Sequence, residues 1–571
     1  MDNSEVAKVL YEIADYLELQ GVSFKPQAYR RAAASIERLE GDITEYHRSN
    51  RLREIPGVGE AIAKKIGELL DTGRLEYLEK LRSEIPRELL SLLEIPEVGP
   101  KTAMMLYKEL GIKSVAELKQ AIFDHRLQGL KGFGPKTEEK LLQGIRIVES
   151  RAGRSLLGEA WAAADNLMKY LQDSNPDAKL SVAGSLRRMK ETIGDIDILA
   201  ASETPGRIMD SFVRFPGVEE ILEKGDTKSS IRLRTGIQVD LRVVPKTSFG
   251  AALQYFTGSK EHNVELRKLA ISKGMKMSEY GLFERDTGKQ LSGEDEEEIY
   301  HILGMQYPPP ELREARGEIE AALRNELPEL IGYDELKGDL HCHTEWSDAL
   351  GSIEDIQGKA KEMKYEYVGI SDHSRSLRIA GGLSEDRLIE QIEHIKKLRE
   401  RNERPWVFAS SEVDILENGK LDYPKKVLEQ LDYVVISVHS KFKMDEKEMT
   451  ERIVAAMSHD KVRVFAHPTG RIIGQRPPYS FDLDKVIEAA KQNGIALEIN
   501  SFPDRLDLND INVKRAIDRG VKIAINSDAH NPGQLEHVRF GIATARRGWA
   551  ESSDVINTLS LDELRKEWDL P

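Results

Sequence analysis

The sequence predicts a multidomain chain with a helical N-terminal region, an α+β middle and a parallel α/β C-terminal region. Three observations predict it. The length of 571 residues exceeds one ordinary domain of roughly 100–200 residues. Before about residue 150 a turn-plus-helix element recurs three times, with few β-branched runs. From about Lys337 short apolar strands alternate with helices, the rhythm of a parallel α/β layer or barrel.

Composition narrows the class. Hydrophobic residues make up 40% and charged residues 32%, which excludes a disordered or collagen-like chain. No uncharged apolar run approaches the ~18 residues of a spanning helix. Asp2, Glu5, Glu12, Asp15 and Glu18 are wrong for a signal peptide. Cys342 is the only cysteine, so internal disulfides and CxxC zinc sites are excluded and a reducing cytoplasm is expected. The net charge of −15 argues neither for nor against a nucleic-acid partner. Residues 1–150 hold 23 Lys+Arg against 25 Asp+Glu, and the remainder carries most of the excess.

The repeated element comes first. Ile55-Pro56-Gly57-Val58-Gly59 precedes Ala61–Leu70, Ile95-Pro96-Glu97-Val98-Gly99 precedes Lys101–Leu110, and Leu130-Lys131-Gly132-Phe133-Gly134 precedes Lys136–Ile145. The glycines permit left-handed or crowded backbone. The helix that follows presents unpaired N–H groups to a phosphate oxygen, so DNA backbone is bound without reading its sequence. These copies resemble helix-hairpin-helix motifs. Glu97 departs from that pattern, and its carboxylate repels phosphate, so the middle copy is expected to be structural.

Strands follow at Leu180–Ala183, Asp195–Ala200, Ser230–Leu233 and Gln238–Val244. Asp195 and Asp197 share one strand face while Ile196 points to the other. Asp240 adds a third carboxylate on a second strand. Three converging carboxylates suit two divalent cations, which lower the pKa of an attacking hydroxyl and neutralise a transferring phosphoryl group. Ala183-Gly184-Ser185-Leu186-Arg187-Arg188 supplies a turn, a hydroxyl and a guanidinium for a triphosphate, and Tyr255-Phe256-Thr257-Gly258-Ser259-Lys260 follows downstream.

With these motifs the middle region resembles the nucleotidyltransferase palm of family X DNA polymerases. The resemblance implies that Asp195, Asp197 and Asp240 hold Mg2+ or Mn2+. Gly184, Ser185, Arg188, Gly194 and Gly258 then belong to the nucleotide site, with Ser185 and Arg188 on the triphosphate. Tyr255 and Phe256 lie against the sugar, Asn263 at the base minor-groove edge and Arg267 near the template. Lys260 stands where some animal members carry an acidic residue. Lys65 matches the lysine that attacks an abasic sugar in lyase-competent members, a role that needs a deprotonated amine and is helped by Lys64. Lys25 and Tyr29 match positions near the 5′ phosphate. Ala61 replaces a basic residue of that pocket.

Tyr307-Pro308-Pro309-Pro310 and the charged helix after it read as a connector. In the last region, nine of the 13 histidines lie within residues 341–571. Nearly every strand there ends in a histidine or carboxylate, as active sites of parallel barrels do, and mixed N/O donors suit Zn, Mn or Fe. The set resembles the PHP (polymerase and histidinol phosphatase) domain, a distorted (β/α)7 barrel with up to three metals, Zn2+ or Mn2+. The ligands implied are His341, His343, Asp348, His373, Glu412, His439, His467, Asp528 and His530. Ala349 and Ser411 stand where the family usually has glycine. Cys342 is expected to pack away from the ligands, and His394, His459 and His537 to lie at the surface.

The resemblance divides the chain into a lyase-like helix-hairpin-helix domain (1–90), a duplex-binding, fingers-like helix-hairpin-helix domain (91–150), palm (151–246), thumb (247–315), linker (316–336) and PHP phosphoesterase (337–571). It implies a template-directed, gap-filling repair polymerase of the base-excision type, with 3′→5′ exonuclease activity and often incision at abasic sites. Its partners are gapped or primer-template DNA and deoxynucleoside triphosphates, with no membrane, and the chain is expected to be a monomer. The rival readings are a PHP phosphoesterase whose N-terminal half only delivers DNA, and a non-catalytic DNA-end-binding scaffold.

Overall fold

The computed structural model describes residues 1–571 except 2, 38, 40, 41, 96, 97, 131, 132 and 152, and omits the side chains of 4, 37, 135, 143, 146, 147, 149, 150 and 151. The chain forms two compact units, Met1–Ala152 with Gly474–Pro477, and Gly153–Ile473 with Pro478–Pro571.

The described residues of the first stretch are helical. Helices α1 (Asn3–Leu19) and α2 (Lys25–Glu37) pack on each other. The three repeats supply α3 (Glu60–Thr72), α4 (Pro100–Leu110) and α5 (Pro135–Arg151). In α3, Ile62, Ile66 and Leu69 form one buried stripe at helical spacing. Each such side chain contributes about 1.5–3 kcal/mol on full burial. Gly73 ends α3 in a left-handed cap at φ 69°, where a Cβ would be strained. Helix α4 opens on Pro100, whose missing N–H costs nothing in a first turn, and also ends on a left-handed glycine, Gly111.

The second unit begins with α6 (Leu157–Ser174) and a five-stranded sheet. Its strands are β1 (Lys179–Val182), β2 (Asp195–Ala201), β3 (Val218–Lys224), β4 (Lys228–Leu233) and β5 (Gln238–Val244), in the order β1-β2-β5-β4-β3. Strands β2 and β5 are parallel neighbours at its centre. The pattern expected for Asp195–Ala200 holds at its start: Ile196 is buried, Asp195 exposed and Asp197 half-buried. Strand β3 went unread in the sequence because Val218–Lys224 is exposed along most of its length. It is a charged edge strand, without the alternation that marks a buried face. Helices α7 (Phe249–Thr257) and α8 (Lys260–Ser272) lead to a small antiparallel sheet of β6 (Met275–Ser278), β7 (Gly281–Glu284) and β8 (Gln290–Ser292). Within the 316–336 connector a helix spans Glu318–Arg324, and Ile319 and Ile331 are buried.

The C-terminal strands are β9 (Gly338–Cys342), β10 (Tyr367–Ile370), β11 (Trp406–Ala409), β12 (Glu412–Asp414), β13 (Val434–Ser437), β14 (Val462–Phe465), β15 (Ala496–Asn500) and β16 (Ile523–Asn526). All pairings among them are parallel. Only Ser410 and Ser411 separate β11 from β12, so the described residues make seven strand positions. Parallel bridges Cys342–Ala529 and His373–Glu412 link the two sheets into a barrel. Its strands are almost wholly buried, because helices cover a parallel sheet outside and side chains fill it inside. The palm does not end at its own sheet. Ile473, Leu506, Phe540 and Ala543 of the barrel region share one buried cluster with Leu157, Ile196 and Phe212.

Candidate active sites

On the palm sheet, Asp197 of β2 lies directly opposite Asp240 of β5, with Asp195 opposite Gln238. Burial, then Asp195 and Asp240, push the Asp197 carboxyl up to about 7. Gln238 donates to Asp240 Oδ1 at 3.0 Å. The turn from β1 passes so close that a Cβ on Gly184 would sit 2.2 Å from Asp197 Oδ2, and Gly184 is left-handed at φ 60°. Glycine is required there on both counts. All-oxygen donors of this kind fit hard divalent ions, and a cation would relieve the repulsion that raises Asp197.

The nucleotide motifs surround this edge. Ser185 is half-buried in the short Gly184–Arg187 helix. Arg188 Nη1 donates to the Thr257 carbonyl at 2.5 Å, drawing the two motifs together. Gly194 lies close to Arg154, whose Nη1 a Cβ there would meet at 3.0 Å. Tyr255 and Phe256 meet edge to face at 5.1 Å between ring centres, and Arg242 covers the Phe256 ring at 4.6 Å. Gly258 is left-handed at φ 71°. Asn263 is buried and engaged: it accepts from Gln254 at 2.7 Å and donates to the Tyr255 carbonyl at 2.7 Å. Arg267 Nε caps the Asn263 carbonyl at 3.1 Å.

Below the motifs, Glu296 takes a bidentate pair from Arg187 at 2.7 and 2.9 Å and a bond from Arg313 at 2.6 Å. Burial disfavours the Glu296 charge, but Arg313 and Arg187 outweigh it and hold its pKa at about 2.

In the N-terminal unit, Gly57 is left-handed at φ 80°, and its Cβ would press on the Arg31–Ala32 backbone at 3.2–3.3 Å. Gly59, Gly99 and Gly134 are different: a Cβ at each would meet nothing within 4 Å. Their smallness serves no internal contact, and leaves the approach to α3, α4 and α5 open. Gly132 and Glu97 lie outside the described residues. Lys65 lines a cleft of about 600 Å3 with Ala61, Lys64, Tyr77 and Lys80, its Nζ 4.7 Å from the Tyr77 ring centre. Three carboxylates, Glu60, Glu68 and Glu76, line the same cleft. Lys25 is exposed, whereas Tyr29 is buried and its hydroxyl pushed up to about 12 by that burial.

The barrel brings the histidines together. Three groups have donor atoms within 4.8 Å of one another: His343, Asp348, His373 and His530; His341, His343 and Asp528; His373, Glu412 and His439. Among the described residues no palm group is so tight. Glu412 is central, with Oε2 2.7 Å from His373 Nδ1 and Oε1 2.8 Å from His467 Nε2. His343 Nε2 lies 3.0 Å from Asp528 Oδ1 and 3.1 Å from His341 Nε2. Asp348 Oδ1 is 3.5 Å from His530 Nε2 and 3.6 Å from His373 Nε2.

The outer contacts decide which nitrogens face inward. His341 Nδ1 donates to Glu498 at 2.8 Å, and His439 Nδ1 to Asp414 at 3.0 Å. That tautomer leaves each Nε2 lone pair for a cation. Within the cluster the charges compensate one another. Burial opposes the Glu412 charge, but His439 and His373 hold its carboxyl well below the usual range. Burial lowers His373 while Glu412 more than compensates, raising it to about 9. Burial with His373 and His530 nearby pushes His343 down to about 4. Crowded imidazoles and carboxylates with oriented tautomers fit divalent metal ions.

The comparisons with known proteins follow the same order along the chain. Residues 1–75 match a helix-hairpin-helix domain model, and 89–146 a SAM-like helix-hairpin-helix tandem model. Residues 252–314 match the DNA polymerase beta thumb and 339–502 the PHP domain. A Bacillus subtilis (strain 168) protein named DNA polymerase/3′-5′ exonuclease PolX is 37% identical over 567 residues, covering 99% of both chains. The chain belongs to the family X DNA polymerases that carry a PHP domain. Rat DNA polymerase lambda is 26% identical over 55% of this chain and 56% of its own, and human DNA-directed DNA/RNA polymerase mu is 27% identical over 55% and 68%.

Some residues of this family X site escaped the sequence reading. Glu498 holds His341, the His467 backbone N–H at 2.7 Å and Asn526 at 2.9 Å. A carboxylate inside the apolar Ile495–Ile499 run was its signal, since a buried charge needs partners. Asp372, next to His373, turns away from the cluster. It accepts from the Thr344 N–H and hydroxyl, Ser347 and Gln391 at 2.5–2.9 Å, tying down the loop that carries Asp348. Ala349 and Ser411 both avoid the left-handed region, so neither position demands glycine. Cys342 is fully buried in the apolar core. His394 is exposed at 43%, but His459 and His537 are half-buried and correct the surface expectation; His537 packs between Phe502 and Phe540, and burial lowers it to about 4. Its charged sequence neighbours concealed those ring contacts.

Proposed function

We propose that this chain fills short gaps in DNA at the palm and shortens 3′ ends at the barrel, in repair of the base-excision type. The reading rests above all on the pairing of Asp197 with Asp240 beside the Gly184 turn, on a chain that also holds the His and carboxylate cluster. Asp195, Asp197 and Asp240 would hold Mg2+ or Mn2+, which supplies charge neutralisation for phosphoryl transfer. The protein's own part is placement. Ser185 and Arg188 grip the triphosphate, Tyr255 and Phe256 set the sugar, and Asn263 and Arg267 meet the base and template. The primer 3′ hydroxyl then attacks the α-phosphate in line, and pyrophosphate leaves.

In the barrel His341, His343, Asp348, His373, Glu412, His439, His467, Asp528 and His530 would hold Zn2+ or Mn2+, up to three ions. Such ions activate water for phosphodiester hydrolysis. Glu498 and Asp414 orient the imidazoles, and Asp372 secures the loop bearing Asp348. Lys65 with Lys25 and Tyr29 is the candidate for abasic-sugar lyase chemistry. The helix-hairpin-helix turns at Gly57, Gly59 and Gly134 hold the DNA backbone. The protein acts as a cytoplasmic monomer; no helix of the described residues is long and apolar enough to cross a membrane.

The test is a 5′-labelled primer in a one-nucleotide gap with Mn2+, with and without deoxynucleoside triphosphates. Extension that Asp240→Ala abolishes, and shortening without nucleotides that His343→Ala abolishes, are the expected results. Shortening without extension by the unmodified protein would refute the palm assignment.

A further inference from the structure

Arg188, assigned above to the triphosphate, is held from outside the palm. Its Nε donates to Glu314 at 3.0 Å and its Nη1 to the Thr257 carbonyl, so Nη2 is the edge left for a phosphate. Glu314 in turn accepts from Arg547 Nη1 at 3.0 Å. The same Nη1 donates to the Arg188 backbone carbonyl at 2.7 Å. One guanidinium of α9 (Val538–Arg547), in the C-terminal region, therefore grips both the backbone and, through Glu314, the side chain of Arg188. Arg547 is itself fixed by Asp510, which accepts from its Nη2 at 2.8 Å and from Arg316 at 2.9 Å.

The network is nearly dry: the Arg188, Glu314 and Arg547 side chains are 12%, 10% and 5% exposed. Charge-assisted bonds are strongest in such surroundings, and costly to leave half-made. Burial works against the Glu314 charge, but Arg547 first and then Arg188 outweigh it and hold the carboxyl below its usual range. The turn it steadies carries strain, since the next residue, Met189, is buried and left-handed at φ 52°. A non-glycine residue there persists only where its surroundings hold it. A second tie runs from Arg471 to Glu191 at 2.7 Å, beside the apolar cluster that palm and barrel share.

We infer that Arg547 is a positioning residue of the polymerase: it sets Arg188 for the incoming nucleotide, so the nuclease half of the chain governs nucleotide affinity. This rests on the assignment of Arg188 to the triphosphate. Arg547 touches neither the barrel's ligand cluster nor the palm carboxylates, and its effect is confined to the step in which a deoxynucleoside triphosphate is bound.

The experiment is single-nucleotide gap filling by the full-length chain, with KM and kcat measured for Arg547→Gln, Arg547→Lys and Glu314→Gln. In parallel, 3′-end shortening without nucleotides and Tm are recorded. Arg547→Gln is expected to raise the nucleotide KM about tenfold with kcat within about twofold. Shortening should be unchanged, and Arg547→Lys should recover part of the loss. Glu314→Gln, isosteric and at the end of the thumb, should raise KM alike, and the double variant should add little to either single one. An unchanged KM in a variant that still shortens DNA would overturn the inference. So would parallel loss of both activities with a fallen Tm, the mark of a merely structural contact. If Arg547→Gln does not fold, an unchanged KM in Glu314→Gln has the same force. Absence of extension by the unmodified protein would instead remove the polymerase reading, and this inference with it.

Discussion

Replacing Glu498 with glutamine is expected to weaken divalent-metal binding in the barrel by about 10- to 100-fold while the fold survives. Glu498 Oε1 accepts from His341 Nδ1 at 2.8 Å and Asn526 Nδ2 at 2.9 Å, and Oε2 accepts from the His467 N–H at 2.7 Å. All three partners are donors. A glutamine offers one acceptor and one donor, so in either orientation an N–H2 faces at least one buried donor. Such a conflict costs about 1–3 kcal/mol, and each 1.4 kcal/mol is about tenfold in affinity. The cost falls on the ligand arrangement, because either His341 loses the bond that fixes its tautomer and ring plane or the His467 backbone loses the bond that places it. The assay is competition for Mn2+ or Zn2+ against a chromogenic chelator on the full-length protein, with gap filling as the internal control. Metal affinity within about twofold of the unmodified protein would refute the argument that this carboxylate orients the cluster.

Three further outcomes are expected. Glu296→Gln should destabilise the chain near neutral pH by about 3–5 kcal/mol, because it strands the buried Arg313 and Arg187. Glu296 has a folded pKa of about 2 against an ordinary 4.5, so its stabilisation is full above pH 4.5 and fades as pH falls toward 2; thermal unfolding of both proteins at several pH values should show the gap closing in acid. Gly184→Ala should reduce extension by at least about 100-fold and leave 3′-end shortening intact, since its Cβ would displace the Asp197 carboxylate. Gly59→Ala should leave Tm unchanged, because nothing inside the protein lies near its Cβ. It should nevertheless weaken binding to gapped DNA several-fold, measured by fluorescence anisotropy; unchanged affinity would argue against a phosphate at that turn.

Local pattern carried much of this molecule. Spacing alone marked α3, α4 and α5, because an apolar stripe and the glycine turn before it are both local signals. It also marked β2 and β5, where carboxylates interrupt apolar runs, and the barrel strands, nearly all of which lead into a histidine or carboxylate. Strand β3 was illegible because an exposed edge strand buries no face. His537 was misread because one ring partner, Phe502, is remote in sequence and the charged Glu536 and Arg539 mask the other, Phe540, three residues on. Glu498 carried a signal, a carboxylate inside an apolar run, but which three donors converge on it depends on elements remote in sequence.

The sequence by itself therefore determined which side chains are at hand for chemistry: three carboxylates on two palm strands, a Gly-Ser-Leu-Arg-Arg turn before them, and histidines and carboxylates gathered after most barrel strands. Only the tertiary structure decided how they are held. It set Asp197 opposite Asp240, turned Glu498 and Asp414 onto the outer nitrogens of the histidines, and brought Arg547 from α9 onto Arg188, 359 positions earlier in the chain. Periodicity reports which face a residue occupies on its own helix or strand. Charge pairing across elements depends on packing angles and buried volumes that arise only when the whole core closes.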